Sequence, residues 1–177
     1  MSDSAKRARG LTLIELMVVI AVIAILIAIA TPNISEIIKN NRATSQANEL
    51  AALINLGRNE AVRRHLDIGQ ACGFVELELT STANGWLGEL TAPTLISGVC
   101  GRALVRETRE SLVQLTIEEE DTPLRFDSRG YLAQQDGWNA VGIQIALQHN
   151  DCSGDRQRRE LRVLPSGSLE NQPAACQ

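Results

Sequence analysis

Glu15 stands inside the stretch Leu11–Ala30, an otherwise apolar run long enough to cross a bilayer. A carboxylate at membrane depth costs roughly 2.5–3.5 kcal/mol even on the lenient insertion scale, so its presence asks for a partner or a second environment. Four other residues invite chemistry of a different kind. Arg156, Arg158, Arg159 and Arg162 cluster near the C-terminus, and planar guanidinium groups suit phosphate oxygens, including those of DNA. Against a phosphate patch, Asp151, Asp155 and Glu160 interleave with them. A strand over 158–164 would place Arg158, Glu160 and Arg162 on one face and Arg159 with Leu161 and Val163 on the other. The plainer expectation is a solvated, charged edge strand that deters edge-to-edge aggregation.

The thiols point to structure. Cys72, Cys100, Cys152 and Cys176 lie well apart, no pair has the two-residue gap of a zinc site, and His65 and His149 are the only histidines. Two disulfides in an oxidising compartment lead the reading, with four free thiols or a metal site as alternatives. If sequence neighbours join, as Cys72–Cys100 and Cys152–Cys176, the chain-entropy model gives each loop roughly 3–4 kcal/mol. Neither a nucleophile–base motif nor a glycine-rich phosphate loop is present, so the chain reads as a non-enzyme without a cofactor or metal. His65 and His149 are expected at the surface, the first at a helix end and the second at a strand-to-loop junction.

These residues hang on a simple framework. The 177 residues make room for one domain and an appendage, and the net charge of −4 argues against a wholly basic nucleic-acid binder. Aromatics make up only 3%, which disfavours stacking platforms for single-stranded bases and implies an aliphatic core. Residues 1–10 carry Lys6, Arg7 and Arg9 against one acid, Asp3, which keeps that end in the cytoplasm. The apolar run lacks a small-x-small cleavage site and so reads as a retained anchor. Ala21, Ala24 and Ala28 add small residues at helical spacing, suited to close helix approach.

Beyond Pro32 the apolar residues Ile34, Ile37, Ile38, Ala47, Leu50, Ile54, Ala61 and Val62 recur mainly at three- and four-residue steps. One long helix is therefore expected over about Leu11–Leu66, kinked near Pro32. From Gly73 the period becomes two. Val75, Leu77 and Leu79 alternate with glutamates; Val113, Leu115 and Ile117 alternate with polar residues; Val141, Ile143, Ile145 and Leu147 share one face. Shorter strands are expected at Trp86–Leu90, Arg102–Val105, Leu124–Phe126 and Leu161–Leu164, with turns at "NGW", "DSRG", "DGW" and "PSGS". The fold class is α+β, a long N-terminal helix packed along an antiparallel sheet.

The segment "RGLTLIELMVVIAVIAILIAIATPNISEII" resembles the N-terminus of type IV pilins and type II secretion pseudopilins. In that pattern a short basic leader ends in Gly and is cut after it. Matched here, Gly10 is the peptidase recognition glycine, Leu11 the new N-terminus, and Glu15 the fifth residue of the mature chain. Leu11 stands where the family usually has an N-methylated Phe. The later segments "NNRATSQANELAALINLGRNEAVRR", "LRFDSRGYL" and "RRELRVLPSGSL" are similar to the GspH/FimT family of minor pilins and pseudopilins.

The resemblance implies four parts: a cleaved leader over 1–10, a transmembrane and filament-core helix over 11–31, its amphipathic continuation over 32–66, and a periplasmic β-rich head over 67–177. It also implies an inner-membrane subunit, spanning once, that later enters a pilus or pseudopilus. Its partners would be other major and minor pilins or pseudopilins, prepilin peptidase and the inner-membrane assembly platform. Cleavage frees a cationic amine at membrane depth; paired with Glu15 of a neighbour, each group offsets the other's desolvation. Some FimT-like minor pilins take up DNA through a C-terminal basic stretch. Arg156, Arg158, Arg159 and Arg162 are similarly placed, which makes a DNA receptor the alternative function.

Overall fold

The computed structural model describes residues 12–65, 73–82, 85–96, 99–108, 113–117, 123–134, 137–138 and 142–176. Its first element is the helix α1, Leu13–Arg64. Thr12 caps it: the Glu15 backbone N–H donates to Thr12 Oγ1 at 3.3 Å, so "TLIE" has the Thr-x-x-Glu form of a capping box. Its other end turns out at His65, which adopts a left-handed φ of 49°. This matches the expected bounds to within two residues. Among the described residues no single helix is long and apolar enough to cross a membrane; Leu13–Ile29 and Ile34–Arg64, either side of a break containing Pro32, meet that test as a pair.

The chain divides into two compact units, Met1–Ile38 and Lys39–Gln177. In the first, the helix is bare: every described side chain from Thr12 to Ile29 is exposed. In the second, Ala43, Ala47, Leu50, Leu53, Ile54 and Ala61 form a fully buried helical stripe. Burying a large aliphatic side chain such as Leu50 or Ile54 contributes about 1.5–3 kcal/mol, and this stripe fixes the helix within the second unit. Of the periodic residues, Ile34, Ile37, Ile38 and Val62 stay exposed.

Ten strands follow among the described residues: β1 Val75–Thr82, β2 Gly85–Ile96, β3 Val99–Glu107, β4 Gln114–Ile117, β5 Leu124–Phe126, β6 Leu132–Gln134, β7 Gly137–Trp138, β8 Ile143–Gln148, β9 Arg158–Val163 and β10 Leu169–Ala174. They form two antiparallel sheets, one in the order β3-β2-β1-β5-β6-β7 and the other β10-β9-β8-β4. The single sheet expected from the alternation is thus two. Strands β1, β5 and β8 bury alternate residues as their sequences require: Val75, Leu77, Leu79, Leu124, Phe126, Ile143, Ile145 and Leu147 are all inside. These join Leu161, Val163, Trp86, Leu90 and the helix stripe from Ala47 to Ala61 in one continuous core.

Two departures have local causes. Strand β2 runs past the expected Leu90 to Ile96 and contains Pro93. Its pairing with β1 ends at Thr91, so Pro93 sits where β2 has a neighbour on one side only, a place that tolerates a missing N–H. In "DGW", expected as a turn, Gly137 and Trp138 form a strand that pairs with Gln134 and Ala133, and Asp136 lies outside the described residues.

Candidate functional site

The candidate assembly residue expected from the sequence, Glu15, stands at the helix start. Glu15 lies in the first turn of α1, where the helix dipole favours a carboxylate. Its carboxylate makes no hydrogen bond or ion pair among the described residues. Around it Leu13 is 78%, Ile14 72% and Met17 61% exposed. Gly10 and Leu11 lie outside the described residues. An unpaired acid on a fully exposed aliphatic helix is a surface awaiting another phase, lipid or protein.

The arginine cluster is divided by the strand that carries it. Arg158 is only 8% exposed, and its Nη2 pairs with Glu160 Oε1 at 3.0 Å. Arg159 faces the other way and donates from Nη2 to Thr44 Oγ1 of α1 at 2.7 Å. Thr44 in turn donates to the Asn40 carbonyl at 2.8 Å. Arg162 is exposed on β9, directly across from Glu170 on β10. Arg156 is exposed in the loop before β9. Leu161 and Val163 turn inward as expected, but β9 is no solvated edge strand. It is paired on both sides, by β10 and β8, and Arg158 is buried, so each arginine has a different neighbourhood.

A clasp unread in the sequence lies beside that loop. Lys39 Nζ pairs with Asp151 Oδ2 at 2.5 Å and donates to the Asp151 carbonyl at 3.3 Å. His149 Nδ1 lies 2.5 Å from Asp151 Oδ1 with its side chain only 18% exposed. This histidine is therefore part-buried beside Asp151 and not the plain surface residue expected. The hydrogen bond from Lys39 holds the Asp151 carboxyl below its ordinary value, against a smaller opposing effect of burial. Next in the chain, Cys152 is joined to Cys176 with Cα atoms 5.7 Å apart, as the sequence-adjacent pairing required. Gln157 closes the same loop: its Oε1 accepts from Ser153 N at 3.0 Å. Cys100 is also disulfide-bonded, and Cys72 lies outside the described residues.

Three separate sequence signatures meet at the other end of the head helix. In "DSRG", buried Asp127 accepts from Arg129 N at 2.9 Å and Tyr131 N at 2.8 Å, closing a turn that ends at Gly130 with φ 77°. In "PSG", Gly167 has φ 74° and donates to the Leu164 carbonyl. Arg58, from "RNEA", runs between these turns: a Cβ at Gly130 would lie 2.8 Å from Arg58 Cγ, and one at Gly167 would meet the Gly130 carbonyl. Only glycine fits both the dihedral and the space. From the same helical segment, buried Glu60 accepts from Arg63 and Arg64, and Arg64 reaches the Pro93 carbonyl. Burial alone would raise the Glu60 carboxyl, but the two arginines together outweigh it and hold it below the ordinary value. The same opposition acts at Glu76, flanked by Arg125 and Arg102, which also ends lowered. Glu60 with Arg63 and Arg64 has the helical i,i+3 and i,i+4 spacing that sequence alone reveals; Lys39–Asp151, far apart in the chain, carries no such signal. Among the described residues no group of three histidine, cysteine or acidic side chains is placed to hold a metal.

Comparison with known proteins follows the same division. Residues 5–31 match the prokaryotic N-terminal methylation motif, and residues 46–167 match the type II transport protein GspH family. In crystal structures, the type IV minor pilin FimU of Pseudomonas aeruginosa is similar in fold at 18% identity. One crystal form gives a TM-score of 0.52 over 73% of this chain and 92% of that one; a second gives 0.53 over 75% and 90%. No curated protein matches the chain.

Proposed function

Because the chain belongs to the GspH family, we propose that it is a membrane-anchored minor pilin or pseudopilin that serves filament assembly in a type II secretion pseudopilus or a type IV pilus. The observation that carries this reading is the exposed apolar helix with its unpaired Glu15. Such a surface suits lipid first and the helices of neighbouring subunits afterwards. The chain enters the inner membrane with its basic leader inside and its head in the periplasm, an oxidising place that fits the Cys152–Cys176 bond. Prepilin peptidase cuts between Gly10 and Leu11, Leu11 is N-methylated, and the assembly platform extracts the subunit. Glu15 then receives the terminal amine of a neighbouring pilin, which selects the axial register.

Thr12 has a part here too. Its hydroxyl caps the helix one residue after the proposed new terminus, and Glu15 lies in the first turn of that helix.

A deletion strain scored for protein secretion, twitching and transformation tests the assignment. Loss of secretion or of twitching, restored by the wild-type gene, supports assembly and names the machine. Loss of transformation alone supports the DNA receptor instead, with the exposed Arg156 and Arg162 as its first candidates. Unchanged phenotypes in all three would overturn both.

A further inference from the structure

Strand β10 is held to the head by little except a covalent bond. Among the described residues it pairs with β9 and with no other strand. Its four middle residues, Glu170, Asn171, Gln172 and Pro173, are exposed. Leu169, half-buried at its start, is its apolar contact with the core. Fixing six residues costs backbone entropy, which a one-sided ladder of hydrogen bonds barely offsets without apolar burial. Such a strand stays seated when its far end is tied, and the Cys152–Cys176 bond ties it.

The two ends of that tie are unequal. Around Cys152 the loop has three further holds. Lys39 bonds Asp151, Cys152 N donates to the His149 carbonyl at 2.9 Å, and Gln157 accepts from Ser153 N at 3.0 Å. Beyond β10, Cys176 has a single 3.2 Å hydrogen bond from its N–H to the Gly154 carbonyl. Gly154 itself lies in an open part of the loop, where an added Cβ would meet nothing within 4 Å. Cys152 and Cys176 are both half-buried, outside the sealed core.

We propose that β10 is a redox-controlled strap, seated on β9 while Cys152 and Cys176 are joined and released when a dithiol reduces them. In the exchange one thiolate of the dithiol attacks a sulfur of the bond, and its second thiol resolves the mixed disulfide. Two electrons and two protons pass from the dithiol, which leaves two cysteine thiols and the reagent as its own disulfide. A disulfide donor runs the exchange in reverse and reseats the strand. The loop before β9 stays in place because its other holds survive, and the core gives up only the contact of Leu169. Release bares the outer backbone edge of β9, a ready template for pairing with another chain. The state of one bond thus sets whether the head shows a blunted edge carrying Pro173 or an open one. The inference concerns the head alone and is independent of Glu15 and of the assembly reading.

Hydrogen exchange on the full-length chain in detergent tests it, read segment by segment by mass spectrometry. The double variant Cys152→Ser, Cys176→Ser, which keeps the bond at Cys100, is compared with the oxidised wild type. Exchange over 169–174 should quicken by about tenfold or more, while β1, β8 and the loop 149–157 keep wild-type protection. Wild type treated with dithiothreitol should show the same release of β10, and oxidised glutathione should reverse it. Asp151→Asn, which keeps the bond, should leave β10 as protected as in wild type. Unchanged protection of β10 in the double variant or in the reduced wild type overturns the proposal. Equal loss across β1, β8 and β10, or a double variant that does not fold, overturns it too, since the bond would then hold the whole head. Loosening of β10 by Asp151→Asn overturns it as well, because the clasp would then be the tie. Glu15→Val should change none of these rates, so failure here and failure of the assembly reading are separable.

Discussion

Gly130 and Gly167 face each other across Arg58, and the two glycines differ in what they fear. At Gly130 a methyl group meets the flexible Arg58 side chain; at Gly167 it meets a backbone carbonyl. Both also have positive φ, which costs an L-residue about 1–2 kcal/mol. Gly130→Ala and Gly167→Ala should therefore each destabilise the head in denaturant unfolding. Adding Arg58→Ala should recover part of the loss at Gly130 and none at Gly167. Equal rescue at both sites, or at neither, would contradict the packing described. His65 is the converse case, a side chain in a left-handed position where glycine is relaxed. His65→Gly should stabilise by about 0.5–1 kcal/mol, read as a raised midpoint. Sequence showed the two turns as turns and placed His65 at a helix end. It could not show that Arg58, "DSRG" and "PSG" converge, because their meeting depends on how two sheets pack.

At the scale of elements, the clasp and the disulfide hold the loop before β9. The Asp151 carboxyl is lowered by Lys39, and that of Glu60 by its two arginines. A carboxyl with a depressed folded value stabilises fully above its unfolded value, 3.8 for Asp151 and 4.5 for Glu60. That contribution is lost as pH falls through the lower folded value. Stability should thus decline below about pH 4.5, and Glu60→Gln should flatten the upper part of the decline and Asp151→Asn the lower. Urea midpoints measured from pH 3 to pH 7 check this; identical pH slopes in wild type and both variants would refute it. Cys152→Ser should cost about 3 kcal/mol by the chain-entropy estimate, since the bond closes a separation of 24 residues. Strands β1, β5 and β8 were legible because each turns alternate large apolar residues into the core, although β8 also buries Ala146 on its other face. Strand β10, "LENQPA", was missed because it is exposed or half-exposed throughout and shows no alternation. The division into two sheets was equally silent, since both impose the same period of two.

For the whole molecule, the N-terminal methylation motif was readable from the first segment, where charge, glycine, acid and apolar length coincide, and the GspH family from the segments after it. The arginine cluster was legible as composition and not as a site. Its members are parted by strand alternation and by partners such as Thr44, which is 115 positions from Arg159. Central to the function we propose is that the helix α1 passes from lipid to protein, its acid, which has no partner among the described residues, receiving a cation from another subunit.

The most direct measurement compares wild-type, Glu15→Val and Glu15→Asp chains in the membrane fraction and in sheared filaments of the same cells. Equal membrane levels for all three are predicted, with Glu15→Val absent from filaments and Glu15→Asp partly retained. Recovery of Glu15→Val in filaments at the wild-type level would contradict the account.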